Sequence, residues 1–146
     1  MKLDKFNLER FLDAQEHSYG TALIELRAGK KRSHWIWYIF PQLRGLGVSP
    51  TSHTYSLASL KEAHAYLDHP VLGLRLKEAI KLMLDQKNSN ANDVLGELDA
   101  LKFKSCLTLF SLAAPSERIF SDALERFFNG ERDLQTLKLL KITQQN

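Results

Sequence analysis

One cysteine, Cys106, stands in a chain of 146 residues, so no disulfide can close within it. Such usage fits a reducing, cytoplasmic setting, and a lone thiol inside an apolar stretch is expected to act as a small core hydrophobe. Long apolar runs are missing as well. The longest, Trp35–Phe40, falls far short of the roughly 20 residues a membrane helix needs. The opening MKLDKFNLERF mixes charges with apolar residues and lacks the continuous apolar stretch of a secretory signal. His17, His34, His53, His64 and His69 never fall in His-Glu-x-x-His spacing, and one cysteine cannot build a cysteine-rich zinc site. No metal and no other cofactor is expected. Gly45-Leu46-Gly47 is too short for a phosphate-binding loop, and no Gly-x-Ser-x-Gly elbow occurs. Strand-like alternation is scarce, although Trp35–Phe40 would also suit a short buried strand.

What is present is an ordinary globular composition, 44% hydrophobic and 25% charged, at the size of one folding unit. Residues 1–146 are therefore expected to form one all-α domain of about seven helices. Asn7 is placed to cap a first helix running to about Ala28, with Gly29 as its stop. Its apolar seam reads Leu8, Leu12, Gln15, Tyr19, Ala22 and Leu26, stepping by four and three. Gln15 is the odd member, and a buried primary amide must find partners. Ser33 is placed to cap a short helix that ends at Pro41. An irregular stretch follows from Arg44 to about Leu57, and unstructured loops of that length are often functional. Ser59 and Glu62 form a capping box for a helix to about Asp68, and Pro70 suits the start of the next. Residues 86–92 read as a polar linker. Asp99–Ala113, uncharged from Ser105 onward, reads as the helix at the centre of the core. Ser116 is placed to cap a helix to Phe128, and a last helix covers about Arg132–Lys141.

The net charge is +3 and the excess is local: Arg27, Lys30, Lys31 and Arg32 fall within six residues, with Arg44 close behind. Next to them stand His34, Trp35, Trp37, Tyr38 and Gln42. Indole and phenol rings pair a flat apolar body with a polar tip, which suits stacking on a base or sugar. In this segment Trp35 and Trp37 are candidates for stacking, Lys30, Lys31 and Arg44 for gripping an anion, and Gln42 and Gln15 for orienting a ligand. Histidine is the side chain suited to acid–base work near neutral pH, and His34 is the candidate for proton transfer. If 34–40 is helical, His34, Trp37 and Tyr38 share one side, and Trp35 and Ile39 another. The same residues have a bland reading: both tryptophans in the core, the cations solvated at a helix end. Asp99 and Lys102 are spaced to pair on one helix face, and Ser105 and Thr108 to bond back to helix carbonyls.

Across nearly its whole length the chain resembles the bacterial family catalogued as domain of unknown function 1810. The words that carry the resemblance include Arg10-Phe11, Ala14-Gln15, His34-Trp35-Ile36-Trp37, Phe40-Pro41-Gln42-Leu43, Gly45-Leu46-Gly47, His69-Pro70, Thr108-Leu109-Phe110 and Phe127-Phe128. The resemblance implies a compact all-helical fold and brings no catalytic role. Members are sometimes labelled calpastatin, yet inhibitors of that name are long disordered repeats and this chain is compact and apolar. Two functional classes follow from the residues. One is a site for an anionic, nucleotide-like or phosphorylated small molecule between His34–Gln42 and the 44–57 loop. The other is an interaction module for a protein or, less favoured because the basic footprint is small, a nucleic acid. No nucleophile–base pair is spelled out by spacing, so binding stands ahead of catalysis.

Overall fold

The computed structural model describes residues 4–142. Among them are nine helices: α1 (Glu9–Ala28), α2 (Ile36–Ile39), α3 (Pro50–Thr54), α4 (Leu60–Asp68), α5 (Leu72–Leu84), α6 (Ala91–Leu95), α7 (Glu97–Ala113), α8 (Arg118–Phe128) and α9 (Leu134–Leu139). No strand occurs among the described residues, and the fold is all-α. The count exceeds the seven expected because two stretches read as irregular are ordered. Within 44–57, Ser49 caps α3 by accepting from the Ser52 N–H, with Pro50 in the first helical turn. The ends of that loop are tied at an isolated parallel bridge, where Arg44 N–H donates to Leu57 O and Leu57 N–H to Gln42 O, both at 2.8 Å. At the end of the 86–92 linker, Asn90 forms a capping box with Asp93 and starts α6.

Helix starts depend on which side chain reaches the free N–H groups. The first helix is capped by Asp4, not Asn7: the Asp4 carboxylate accepts from Leu8 N–H at 2.7 Å and Glu9 N–H at 2.9 Å. The Glu9 N–H and then the Leu8 N–H hold this carboxyl below its usual range, while Asn7 takes a left-handed φ of 53° in the turn before the helix. Gly29, at φ 77°, ends α1 as expected. Ser59 accepts from Glu62 N–H, but the Glu62 carboxylate turns to Ala58 N–H and to Arg10 instead of closing the box. Arg10 in turn spends all five N–H bonds: on the carbonyls of Thr54, Phe6, Asn7 and Ser56 and on Glu62. It is a joint between α1, α4 and the loop. For α5 the cap is His69, whose Nδ1 accepts from Val71 and Leu72 N–H. Neither Ser33 nor Ser116 caps a helix; the N-caps of α2 and α8 are Trp35 and Glu117.

The central helix is α7, which packs against α2, α4, α6, α8 and α9. Phe103 lies 4.7 Å from Phe40 and 5.8 Å from Phe127, and Phe110 stacks on Phe120 at 5.5 Å. Cys106 is fully buried here, and burial pushes its thiol well up, so it is an inert part of the core. Thr108 donates to Lys104 O as its helical position suggests. It also accepts from Asp133 N–H at 2.9 Å, which fixes the start of α9 beside α7.

Candidate functional site

Glu25, on the last turns of α1, organises the basic loop. Its Oε1 accepts from Arg32 N–H at 2.8 Å, Ser33 N–H at 3.0 Å and the Trp35 indole N–H at 2.8 Å, and its Oε2 from the Ser33 hydroxyl at 2.6 Å. Burial alone would push this carboxyl up. The Ser33 hydroxyl, the Arg32 N–H, the indole and the Ser33 N–H outweigh it and hold it down at about 2. From the other side Lys31 is clamped: its ammonium, 7% exposed, pairs with Asp99 Oδ2 at 2.7 Å, donates to Ser33 O and lies 5.0 Å from the centre of the Trp35 ring. Trp35 is consequently core, 1% exposed. It is not a stacking platform, because its polar tip is spent on Glu25.

The two sides of α2 separate as the spacing predicts. Trp35 and Ile39 face the core, whereas His34 is exposed and Trp37 and Tyr38 are half-buried. Trp37 lies at one end of a cleft of about 350 Å³, lined also by Gln42, Leu46, Gly47, Tyr55, Leu98, Leu101, Lys102, Ser105, Asp133 and Gln135. This volume lies within the range of small-molecule pockets. Its walls are apolar, and Leu98 and Leu101 on α7 remain 74% and 56% exposed. Lys102 sits over the Trp37 ring at 5.4 Å and pairs with Asp99 Oδ1 at 3.2 Å. Asp99 thus serves two ammonium groups, Lys31 and Lys102, with one charge.

Several polar groups around this cleft are left without a protein partner. Among the described residues the Trp37 indole N–H, the Gln42 and Gln135 amides and the Tyr55 hydroxyl make no hydrogen bond, and Asp133 commits only Oδ2, to Thr136. The contrast is Gln15, also an amide and 2% exposed. Its Nε2 donates to Tyr38 O at 2.7 Å and to the Tyr66 hydroxyl at 3.1 Å, and its Oε1 accepts from Arg75 at 3.2 Å. Gln15 is the network residue its seam position demands, and it lines neither the Trp37 cleft nor the basic depression beside it.

A second depression, of about 460 Å³, shares Trp37, Leu98 and Lys102 with the cleft and adds Lys31, Arg32 and His34. The structure therefore brings Lys31, His34, Trp37 and Gln42 to one connected surface. It does not bring Lys30, which is exposed and lines neither depression. Arg44 lies elsewhere too: its Nε donates to Ser56 at 2.9 Å, and it lines a shallow depression with Lys5, Arg10 and Glu62. No group of three or more His, Cys, Asp or Glu side chains comes together to hold a metal among the described residues.

Residues 5–140 match the family described as Protein of unknown function (DUF1810). The chain belongs to this family. It is also similar to the conserved hypothetical protein Rv1873 from Mycobacterium tuberculosis, whose crystal structure aligns with a TM-score of 0.93 at 43% identity, over 96% of this chain and 100% of that one. No curated protein matches. Among the described residues of this DUF1810 chain, no helix is long and apolar enough to cross a membrane. Sequence reasoning missed the far wall of the cleft: Leu98, Leu101, Asp133 and Gln135. Its one signal was local, Ser105 and Thr108 breaking an apolar face of α7 where α9 docks.

Proposed function

We propose that this DUF1810 protein binds a small molecule in the Trp37 cleft, one with a flat, hydrogen-bonding ring and an anionic group. The observation that carries the reading is the set of unpartnered polar groups around apolar walls. Trp37, Gln42 and Tyr55 are half-buried and Gln135 is exposed, so the indole N–H, two amides and a hydroxyl that line the cleft are open to solvent and free to pair with a ligand. Trp37 offers a ring face for stacking, the amides each donate and accept, and Lys102 carries a positive charge only partly offset by Asp99, which also pairs with Lys31. These groups hold a ligand rather than transform it, so binding is the activity proposed. A second reading, a protein-interaction module, draws on the exposed Leu98, Leu101 and Leu134 near the cleft and Val48 on the neighbouring loop.

A thermal-shift screen against nucleotides, ADP-ribose-like compounds and sugar phosphates separates the two. A compound at 100 times its Kd is expected to stabilise the protein by about 2.7 kcal/mol. Trp37→Ala is expected to weaken that compound about tenfold or more, from the loss of stacking. Because Trp37 is half-buried at the rim, the variant's own stability should fall little. No shift from any compound, or a shift that Trp37→Ala leaves intact, would sink the small-molecule reading.

A further inference from the structure

We infer that the cleft and the second depression are two halves of one site for a nucleoside 5′-phosphate, with the heterocycle in the first half and the phosphate in the second. This rests on the cleft being a binding site and goes on to assign each half its chemistry. The two hollows adjoin, because Trp37, Leu98 and Lys102 line both. Their chemistry differs sharply. The cleft holds one cation, Lys102, and one carboxylate, Asp133, and otherwise apolar walls, hydroxyls and amides. A nucleobase fits it: a flat ring for Trp37, with an edge of mixed donors and acceptors for Gln42, Gln135 and the free Asp133 Oδ1. An anion does not fit at its far end, where Asp133 would repel it.

The second half carries Lys31, Arg32, Lys102 and His34 against Glu97 and Asp99. Lys31 is locked to Asp99 and Ser33, so the cations able to turn to a ligand are Arg32 and Lys102. Arg32 is exposed, its backbone N–H held by Glu25 while its guanidinium makes no ion pair among the described residues. A guanidinium with a free planar edge is matched to phosphate oxygens. Lys102 stands where the halves meet, above the Trp37 ring, at the position a ribose–phosphate linkage would occupy. The excess of cations over carboxylates is small, which suits one phosphate better than a chain of them.

The test is a calorimetric titration of the intact protein with the four ribonucleosides, their 5′-monophosphates and inorganic phosphate. At least one monophosphate is expected to bind about tenfold or more tighter than its own nucleoside. In an Arg32→Gln/His34→Ala double variant, both positions being exposed, that advantage should shrink several-fold, Lys102 alone remaining for the phosphate, while the nucleoside affinity stays. A nucleoside and its monophosphate binding equally to the wild type, or an advantage undiminished in the double variant, overturns the two-part assignment and leaves the cleft as a binding site. Binding of a sugar phosphate but of no nucleoside or nucleotide overturns the nucleoside class alone. No binding by any of these compounds, together with an empty thermal-shift screen, overturns both readings.

Discussion

Replacing Gly73 by alanine is expected to destabilise the protein by about 3 kcal/mol or more, lowering Tm by about 10 °C. Gly73 is in the first turn of α5, where α4 and α5 meet at the His69-Pro70 corner. A Cβ built there lies 1.9 Å from the Leu67 carbonyl oxygen and 2.9 Å from its carbon. Both atoms are backbone and belong to the last turn of α4, so no rotamer relieves the clash. The helices must part, and Leu72, Leu76 and Tyr66, all essentially unexposed, lose their packing. The control is the same chemical change at Gly20, inside α1, where a new Cβ meets nothing within 4 Å. There alanine removes a glycine from a helix interior and is expected to stabilise by about 0.5–1 kcal/mol. Denaturant melts of the two variants check both signs. Equal effects would mean that close approach at Gly73 is not what selects glycine.

Removing the Glu25 carboxylate has the second large effect. Glu25→Ala leaves two backbone N–H groups, a hydroxyl and the buried Trp35 indole without their acceptor. Unsatisfied buried donors cost about 1–3 kcal/mol each and do not simply add, so a loss of about 4 kcal/mol is expected. The pH dependence follows from the carboxyl being held at about 2 in the folded protein, below the ordinary glutamate range. A folded-state pKa below the unfolded one contributes stability that is present above the unfolded value, near 4.5. That contribution is lost as pH falls through about 2 and amounts to roughly 3 kcal/mol. The stability gap between wild type and Glu25→Gln should therefore be large at pH 7 and nearly closed at pH 2, in paired urea melts. A gap independent of pH would show that the carboxylate's charge does not hold the loop. The effect reaches the site as well, since Glu25 fixes Trp35 and Trp35 fixes the start of α2.

Long elements were legible in the sequence because periodicity accumulates over several turns. The seam of α1, the uncharged second half of α7 and the role of Gln15 all follow from spacing. Short elements were not. In a helix as short as Ile36–Ile39 the pattern separates two faces without saying which is core. That choice is made by Glu25, ten residues before Trp35, a contact no local pattern shows. The cap of α1 was read as Asn7 for a related reason: Asp4 lies farther from the helix in sequence, and only the turn at Asn7, with its left-handed φ, brings the Asp4 carboxylate to the N–H groups. Of the candidate site, the near wall at Trp37 and Gln42 was legible as a run of amphipathic residues. The far wall comes from α7 and α9, where Leu98, Leu101 and Gln135 look like ordinary surface residues until tertiary packing sets them opposite Trp37.

The two indole N–H resonances of the isotope-labelled protein offer the most direct test of the cleft, during titration with the 5′-mononucleotides. One belongs to Trp35, locked to Glu25, and the other to Trp37, free at the cleft. The expected result is a Trp37 signal that moves to saturation, together with the side-chain amides of Gln42 and Gln135, while the Trp35 signal stays fixed. Shifts confined to the surface around Arg10 and Arg44, or no movement at Trp37 at any concentration, would contradict it.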